Sequence, residues 1–237
     1  MKAKSTRKSF QKLALTAALV PASIGIAFAQ QSPFYIGAAA GTAKYDFDFT
    51  SQVRNLSTSG LPVTRASVTD DSDAGYKLTL GYQITPHIAF ELDYVNLGKA
   101  RTSYEFNGLG RYTREGTYKI NGINFSGVFS QPVTEQFSLL GRLGLFYSKY
   151  QYSETGENFP AFMPSPEPPI HSFTAPDLKR NKLSYGLGAD YQWNSVTKVR
   201  LGWDRYTKIG NTMNNSETEN GKFDNIDLFS LGVLVRF

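Results

Sequence analysis

Acidic and basic side chains recur at alternate positions of segments whose other positions are bulky and apolar. This pattern places the charges on one face of a β-strand and the apolar residues on the other. An ion taken out of water is costly unless it is paired, so these charges predict a network of interior salt bridges. Its predicted members are Lys77, Glu91, Asp93, Arg142, Asp190, Arg200 and Asp204.

The predicted network admits two roles. Glu91, Arg142, Asp190 and Arg200 lie at mid-strand positions, which makes them the expected mutual neighbours. Fixed pairs would be structural and would close the interior, whereas an exchange of partners would open a narrow path for ions or small solutes. Both interpretations stay open at this point.

Catalytic, cofactor and metal chemistry have little support. The chain has no cysteine and two histidines, which excludes disulfide scaffolds, CxxC redox pairs and cysteine-ligated zinc. His87 lies in a predicted turn without a nucleophile, and His171-Ser172 with Asp177 lies in a proline-rich segment without rigid support. Gly186-Leu187-Gly188 is not followed by a helix, so it is no nucleotide loop. We expect no catalytic residue, cofactor or bound metal.

The net charge of +5 belongs to the first 29 residues. These contain five of the 25 Lys and Arg and no acid, so residues 30–237 hold 20 basic and 20 acidic residues and no nucleic-acid partner is expected. A basic start, the apolar stretch Leu13–Phe28 and a small-x-small ending predict a signal peptide over 1–29, cleaved between Ala29 and Gln30. Pro21 and the short apolar run weigh against the alternative, a transmembrane anchor.

Residues 30–237 form one predicted domain of eight strands. From Tyr76 to Ile84, for example, even-numbered residues are large and apolar and odd-numbered ones are polar or Gly. The alternation slips near Asn121-Gly122, which predicts a β-bulge in the fourth strand. The predicted strands are 34–48, 74–84, 88–98, 116–130, 136–152, 183–193, 197–206 and 225–237.

The connections between these strands alternate strictly between long and short. Short ones are predicted around Thr85-Pro86-His87, Gln131 to Glu135 and Asn194 to Val196. The long ones are 49–73, 99–115, 153–182 and 207–224. Short periplasmic turns and long extracellular loops are typical of an outer-membrane barrel with both termini on the short-turn side.

The alternative is a soluble up-and-down barrel such as a lipocalin. An eight-stranded barrel has an interior just wide enough for side chains, which suits the small and polar faces seen here. The bulky faces then point outward, which only lipid tolerates. We therefore predict an all-β fold: an eight-stranded antiparallel up-and-down transmembrane β-barrel, too narrow for a wide pore of about 16–18 strands.

Aromatic residues near the predicted strand ends fall into two groups. Aromatic rings favour both membrane interfaces, so the two groups predict two outward-facing girdles. The short-turn group is Tyr82, Phe137, Trp193 and Phe237, and the long-loop group is Tyr45, Phe47, Tyr150, Tyr152 and Tyr206.

Three segments carry a resemblance to a known family, the OmpA-like eight-stranded outer-membrane barrels. They are Gly81–Tyr94, Trp203-Asp204-Arg205-Tyr206 and the ending Leu231–Phe237. The resemblance implies a location in the outer membrane of a Gram-negative cell envelope. It also implies that Phe237, a terminal aromatic on an alternating strand, is read by the outer-membrane assembly machinery. The peptidoglycan-binding domain of full-length OmpA is expected to be absent, and with it any anchoring of the cell wall.

The loops supply the candidate contacts with partners. Segment 153–182 holds six of the eleven prolines, and such extended, apolar stretches are recognised by aromatic grooves, which predicts an extracellular ligand there. A loop folded over the barrel mouth is the alternative. Asp70, Asp71 and Asp73 are expected to form a solvated rim. Rim cations are expected to contact lipopolysaccharide phosphates; they are Lys44, Arg111, Arg114, Lys149, Lys179, Arg180, Lys182 and Lys208.

The sequence thus favours a small outer-membrane barrel with a structural or surface-interaction role, such as membrane integrity, adhesion or environmental contact. A narrow porin-like channel for ions or small solutes is the alternative. A lipid A-modifying enzyme is a distant third.

Overall fold

The computed structural model describes residues 32–47, 63–107, 110–160, 170–209 and 223–237. These residues form ten strands: β1 (Phe34–Phe47), β2 (Val63–Asp70), β3 (Ser72–Thr85), β4 (Ile88–Asn107), β5 (Gly110–Pro132), β6 (Phe137–Pro160), β7 (Ile170–Thr174), β8 (Leu178–Gln192), β9 (Thr197–Thr207) and β10 (Phe223–Arg236). Within this described part, no helix is long and apolar enough to cross a membrane.

Eight of the strands close into an antiparallel barrel in the order β1-β3-β4-β5-β6-β8-β9-β10, because β10 pairs back onto β1. The remaining two, β2 and β7, pair only with the far ends of β4 and β6. A path that steps from each residue to the one directly opposite it on the next strand starts at Phe34 and goes once around the barrel. It returns to β1 at Lys44, ten residues further along the strand. This stagger reflects the strand tilt of a closed barrel. The predicted eight-stranded barrel is confirmed.

The bulky faces of the strands point outward, as predicted. Leu143 and Leu187 are 63% and 62% exposed, while Arg142 between such residues is 6% exposed. The small residues inside serve packing, since a Cβ on Gly81 would lie 2.0 Å from Cζ of Tyr35. Small inward residues therefore leave room for large side chains from neighbouring strands to lie over them and fill the lumen.

Three short turns connect the strands at one end, where they were predicted. In each turn a polar side chain accepts a hydrogen bond from the backbone N–H group three residues later in the chain, as polar turn residues do. Thr85 Oγ1 accepts from Ile88 N at 3.0 Å, and Thr134 Oγ1 accepts from Phe137 N at 3.0 Å. Asn194 Oδ1 accepts from Thr197 N at 2.8 Å.

Three of the four predicted long connections are wrong in extent. Segment 99–115 is nearly all strand, since β4 runs to Asn107 and β5 starts at Gly110. Segment 49–73 contains β2, and segment 153–182 contains the end of β6, β7 and the start of β8. Above the membrane one face of the sheet meets water and needs no apolar residues, so the alternation that marks the lower strands is missing. Segment 207–224 matches, with β9 ending at Thr207 and β10 starting at Phe223.

The bulge predicted on the fourth strand lies on β4 instead. On β5, Gly116 to Ser126 keep their even-numbered residues inward without a slip. Apolar residues merely change sides, from Tyr118 and Ile120 inside to Ile123 and Phe125 outside. On β4 the register with β5 shifts between Asn96 and Lys99, beside Gly98 with its φ of +73°.

Gly98→Ala is expected to lower the free energy of unfolding by about 1–2 kcal/mol, because a left-handed backbone disfavours a Cβ. That Cβ would also lie 2.7 Å from the Ala74 carbonyl oxygen. The matched control is Gly141→Ala, whose Cβ meets nothing within 4 Å. Urea unfolding in lipid vesicles measures both. Equal unfolding midpoints for the two variants would contradict the assignment of strain to Gly98.

Candidate functional site

The lumen is filled by side chains in three successive layers. At the short-turn end lies an apolar layer of Tyr35, Ala89, Val128, Leu140 and Leu234. The middle layer is charged. The layer at the opposite end is apolar and aromatic. The inward-facing residues of the strands form each layer, so the polarity of the lumen changes along the barrel axis.

Arg200 forms the lower half of the charged layer. Its Nε donates to Asp190 Oδ1 at 2.7 Å and its Nη2 donates to Asp190 Oδ2 at 2.9 Å. Asp190 is the residue directly opposite Arg200 on the neighbouring strand β8. Arg200 Nη1 donates to Glu91 Oε1 on β4. Tyr35 adds its hydroxyl to the same Glu91 oxygen at 2.7 Å. Arg200 thus links opposite walls of the barrel through two buried carboxylates.

Arg142 and Lys77 form the upper half. Arg142 Nη2 lies 2.7 Å from Asp204 Oδ1, and its Nη1 lies 3.8 Å from Glu91 Oε2. Lys77 Nζ lies 3.1 Å from Asp204 Oδ2. Gly202 provides the space, since a Cβ there would lie 2.9 Å from Arg142 Nη2. Glu91 and Asp204 therefore each serve two cations.

Asp93 is held by neutral groups. Thr79 Oγ1 donates to its Oδ1 at 2.6 Å, and Asn124 Nδ2 donates to its Oδ2 at 3.3 Å. Ser184 Oγ in turn donates to Asn124 Oδ1 at 2.6 Å. The structure thus brings all seven predicted charged residues into one layer, with four acids and three bases. Thr79, Asn124 and Ser184 were missed, although they share the inward parity of the charges.

The aromatic layer corrects the predicted girdle at the long-loop end. Tyr45, Tyr150, Tyr152 and Tyr206 are buried inside the barrel, and Phe47 packs against them. Phe146 is fully buried and its ring centroid lies 4.6 Å from that of Tyr206. Above the membrane the inward face must supply the apolar core, because the outward face meets water. At the short-turn end Tyr82, Phe137, Trp193 and Phe237 are exposed, as expected of a girdle.

Tyr152 marks the upper edge of this layer, above the membrane-spanning part. Its hydroxyl donates to Glu154 Oε2 at 2.5 Å, and Glu154 also lies 3.4 Å from Arg114. Burial raises the pKa of the Tyr152 hydroxyl well above its ordinary value, and the hydrogen bond to Glu154 adds to the shift. The phenol therefore stays protonated and acts as a fixed donor.

A small cavity of about 90 Å³ opens at the short-turn end. Tyr35, Lys198, Arg200 and Arg236 are among its lining residues, so it reaches through the lower apolar layer as far as the Arg200–Asp190 pair. The cavity stops there, and the charged and aromatic layers lie above it. The lumen is thus a shallow vestibule beneath a filled interior.

The weaker candidate residues lie apart from this interior. His87 Nδ1 lies 3.0 Å from the Ser130 carbonyl oxygen in a short turn. Asp177 Oδ2 lies 2.7 Å from Lys149 Nζ, and this hydrogen bond holds the pKa of Asp177 below its ordinary value. Asp177 is thus engaged by a lysine. Among the described residues, no group of three or more His, Asp or Glu is placed to hold a metal.

The carboxylates of the acidic rim accept hydrogen bonds from backbone N–H groups, which the sequence did not suggest. Asp73 Oδ1 accepts from Ala74 N at 2.8 Å, and its Oδ2 accepts from Lys99 N at 2.8 Å, beside the β4 bulge. Asp70 Oδ1 lies 3.5 Å from Ser72 N at the break between β2 and β3. The side chain of His171 and the predicted cleavage residues Ala29 and Gln30 lie outside the described part.

The predicted rim cations divide between the two faces. Lys44, Arg111, Lys149, Lys179 and Lys208 are exposed or half-exposed at the outer surface. Arg114 pairs with Glu154, and Arg180 and Lys182 share the inward parity of the buried Ser184. Within the first group, Arg111 lies near the outer end of β5 and pairs with Glu105 at 2.8 Å.

The model of the OmpA-like transmembrane domain family matches residues 29–237. The chain belongs to this family. As an OmpA-like barrel it is a small protein of the outer membrane, with its short turns on the periplasmic side and its strand extensions outside the cell.

Solved structures similar to this OmpA-like barrel include several outer-membrane proteins. Neisserial surface protein A has a TM-score of 0.49 and 17% identity, covering 88% of this chain and 99% of that chain. OprG from Pseudomonas aeruginosa has a TM-score of 0.47 and 15% identity, covering 88% and 97%. Ail, the attachment invasion locus protein of Yersinia pestis, has a TM-score of 0.40 and 15% identity, covering 86% and 98%. Curated protein sequences give no significant match.

Proposed function

We propose that this OmpA-like barrel is a closed, non-catalytic anchor that presents its extracellular sheet for contact with the surroundings of the cell. The observation that carries the proposal is the filled lumen. A layer of paired charges and a layer of packed aromatic rings lie in series above a vestibule of about 90 Å³. A solute path would have to breach both layers, whereas a structural or contact role needs neither to move.

The extracellular extension supplies the contact surface. Strands β2, β4, β5, β6 and β7 pair side by side beyond the membrane-spanning part. Their outward face is polar and forms a recess of about 650 Å³, lined by Ser103, Glu115 and Thr155 among others. Strand β7, which follows the proline-rich part of segment 153–182 in the sequence, extends this sheet.

The proposal of a non-catalytic role rests on the placement of the candidate groups. Asp177, the acid grouped above with His171 and Ser172 from the sequence, pairs with Lys149. His87 contacts a backbone carbonyl on an exposed turn. A nucleophile, a base and an orienting acid have to meet within hydrogen-bond reach, and these groups are engaged elsewhere.

Filling the recess is expected to abolish attachment through it. Ser103→Arg with Thr155→Arg would crowd the recess and neutralise the net negative charge of its lining around Glu115. We expect attachment of expressing bacteria to matrix proteins, glycans or cultured cells to fall about tenfold or more. Asn225→Arg on the opposite wall is the matched control and should leave attachment unchanged. Attachment equal to that of the wild type in the double variant would contradict the proposal.

A narrow channel is the second candidate, and the position of Arg142 favours it. Its guanidinium lies between two carboxylates, 2.7 Å from Asp204 and 3.8 Å from Glu91. A small rotation would exchange these partners. Stepwise currents through the wild-type chain in a planar bilayer would support the channel, whereas the closed anchor predicts none.

A further inference from the structure

Four lysines lie together on the outer wall of the barrel and are called here the lysine patch. Lys99 on β4 is directly opposite Lys119 on β5, and Lys149 on β6 is directly opposite Lys179 on β8. Lys99, Lys119 and Lys179 are exposed, and the Lys149 side chain is 42% exposed. Lys99 falls in a predicted loop and Lys119 in the predicted strand 116–130, so the sequence did not bring the two together.

The two pairs are neighbours. Lys119 is opposite Gln151, which lies two positions beyond Lys149 on the same face of β6. Directly opposed residues have Cβ atoms about 5 Å apart, and diagonal neighbours lie about 7–8 Å apart. The four ammonium groups therefore share one area of rigid strand surface rather than four mobile loops.

The charge of the patch is only partly compensated from within the protein. Asp177 contacts Lys149 at 2.7 Å and Gln151 at 3.0 Å. Across the described ranges, Lys99 and Lys119 form no ion pair with a carboxylate of the chain. Like charges directly opposite on paired strands are destabilising. The Lys99–Lys119 pair thus holds a repulsion that an external anion would relieve, whereas Asp177 already relieves part of the repulsion between Lys149 and Lys179.

The height of the patch indicates where that anion comes from. Tyr94, Ile123 and Tyr147 form a row of directly opposed, outward-facing residues, and tyrosine favours the membrane interface. Lys149 lies two residues beyond Tyr147, which is about 6–7 Å along the strand. The patch therefore begins at the level of the lipid headgroups of the outer leaflet.

We propose that the lysine patch binds the phosphate groups of an anionic glycolipid of the outer leaflet, one phosphate over each lysine pair. Other outward cations are less suited. Arg205 is neutralised by Asp227 through two 2.7 Å contacts, and Lys44 is directly opposite the same Asp227. The glycolipid site is separate from the extracellular recess, so it stands whether or not that recess binds a partner.

Binding of bisphosphorylated lipid A to the refolded full chain in mixed micelles tests the site. Lys99→Gln with Lys119→Gln is expected to weaken binding roughly tenfold to thirtyfold. Lys44→Gln with Lys208→Gln removes the same charge elsewhere on the rim and should change binding less than about twofold. In phosphatidylcholine vesicles the patch variant should be at least as stable to urea as the wild type, since a repulsion is removed.

Several outcomes would overturn the proposal. Equal losses of lipid A binding in the two double variants would show that the patch contributes only general positive charge at the rim. Dephosphorylated lipid A binding as tightly as the bisphosphorylated form would exclude phosphate as the ligand. Inorganic phosphate or phosphatidylglycerol displacing lipid A at equal phosphate concentration would exclude a glycolipid-specific site. If the Lys99 and Lys119 variant fails to refold, Lys149→Gln with Lys179→Gln carries the same expectation.

Discussion

Glu91→Ala is expected to lower the free energy of unfolding by about 3–5 kcal/mol, the usual cost of breaking a buried ion pair from one side. Glu91 is fully buried and receives the Arg200 guanidinium and the Tyr35 hydroxyl, with Arg142 at 3.8 Å. Removing this carboxylate leaves two guanidiniums facing each other across the lumen. Urea unfolding in lipid vesicles, followed by the fluorescence of Trp193 and Trp203, measures the loss.

The control for this variant is Glu157→Ala, because Glu157 is exposed on the extracellular sheet. Exposed substitutions of this kind change stability by about 0.5 kcal/mol or less. Glu91→Gln should fall between the two, since the amide oxygen still accepts a hydrogen bond while the charge is lost. A Glu91→Ala midpoint equal to that of Glu157→Ala would show that the charged layer does not hold the barrel together.

Arg142→Ala combined with Phe146→Ala is expected to produce stepwise ion currents in a planar bilayer. Both side chains point inward from β6, one in the charged layer and one in the aromatic layer. Gly144 lies between them and Ser148 follows. Between Leu140 and Tyr150 the combined variant would line the inner side of β6 with Ala, Gly, Ala and Ser, which removes the bulky inward side chains of this stretch from both layers.

Each single variant should remain without current, because the other layer still closes the lumen. Phe146→Ala alone costs about 3–5 kcal/mol of stability, so folding of every variant is checked by its gel mobility before and after heating. Currents in Arg142→Ala alone would show that the aromatic layer does not seal the lumen. A silent, folded double variant would mean that the remaining side chains close the path without Arg142 and Phe146.

The membrane-spanning half of the fold could be predicted because lipid imposes a pattern on it. Leu78 and Leu80 have to face hydrocarbon, so their alternation with polar residues is visible in the sequence. No such demand acts on the extension. Ser103, Thr113 and Thr155 face water there. Because they are polar, these parts of β4, β5 and β6 have the composition of loops in the sequence.

The inward aromatics were misassigned although a signal existed. Tyr45 shares the odd parity of Tyr35 on β1, and Tyr150 and Tyr152 share the even parity of Arg142 on β6. Parity along each strand places them inside, whereas position near a strand end suggested a girdle. Counting from a residue whose face is known is the better guide, provided that no bulge intervenes.

The members of the charged layer could be predicted, but their partners could not. Lys77 on β3 meets Asp204 on β9, and Glu91 on β4 meets Arg200 on β9. These strands are not neighbours in the barrel, so the pairs depend on its stagger and diameter. Alternation along single strands contains no information on contacts across the lumen.

The bulge at Gly98 changes which residues of β4 face the lumen. Before it, odd-numbered residues such as Glu91 and Asp93 point inward, and after it even-numbered ones such as Thr102 and Tyr104 do. Removing the one extra residue there would restore regular alternation and keep the outer half of β4 on its present faces, whereas removing one residue beyond the bulge would exchange the inward and outward faces of everything that follows. Length changes in the extension of this strand are therefore tolerated in pairs of residues, or as a single residue only together with the gain or loss of a bulge.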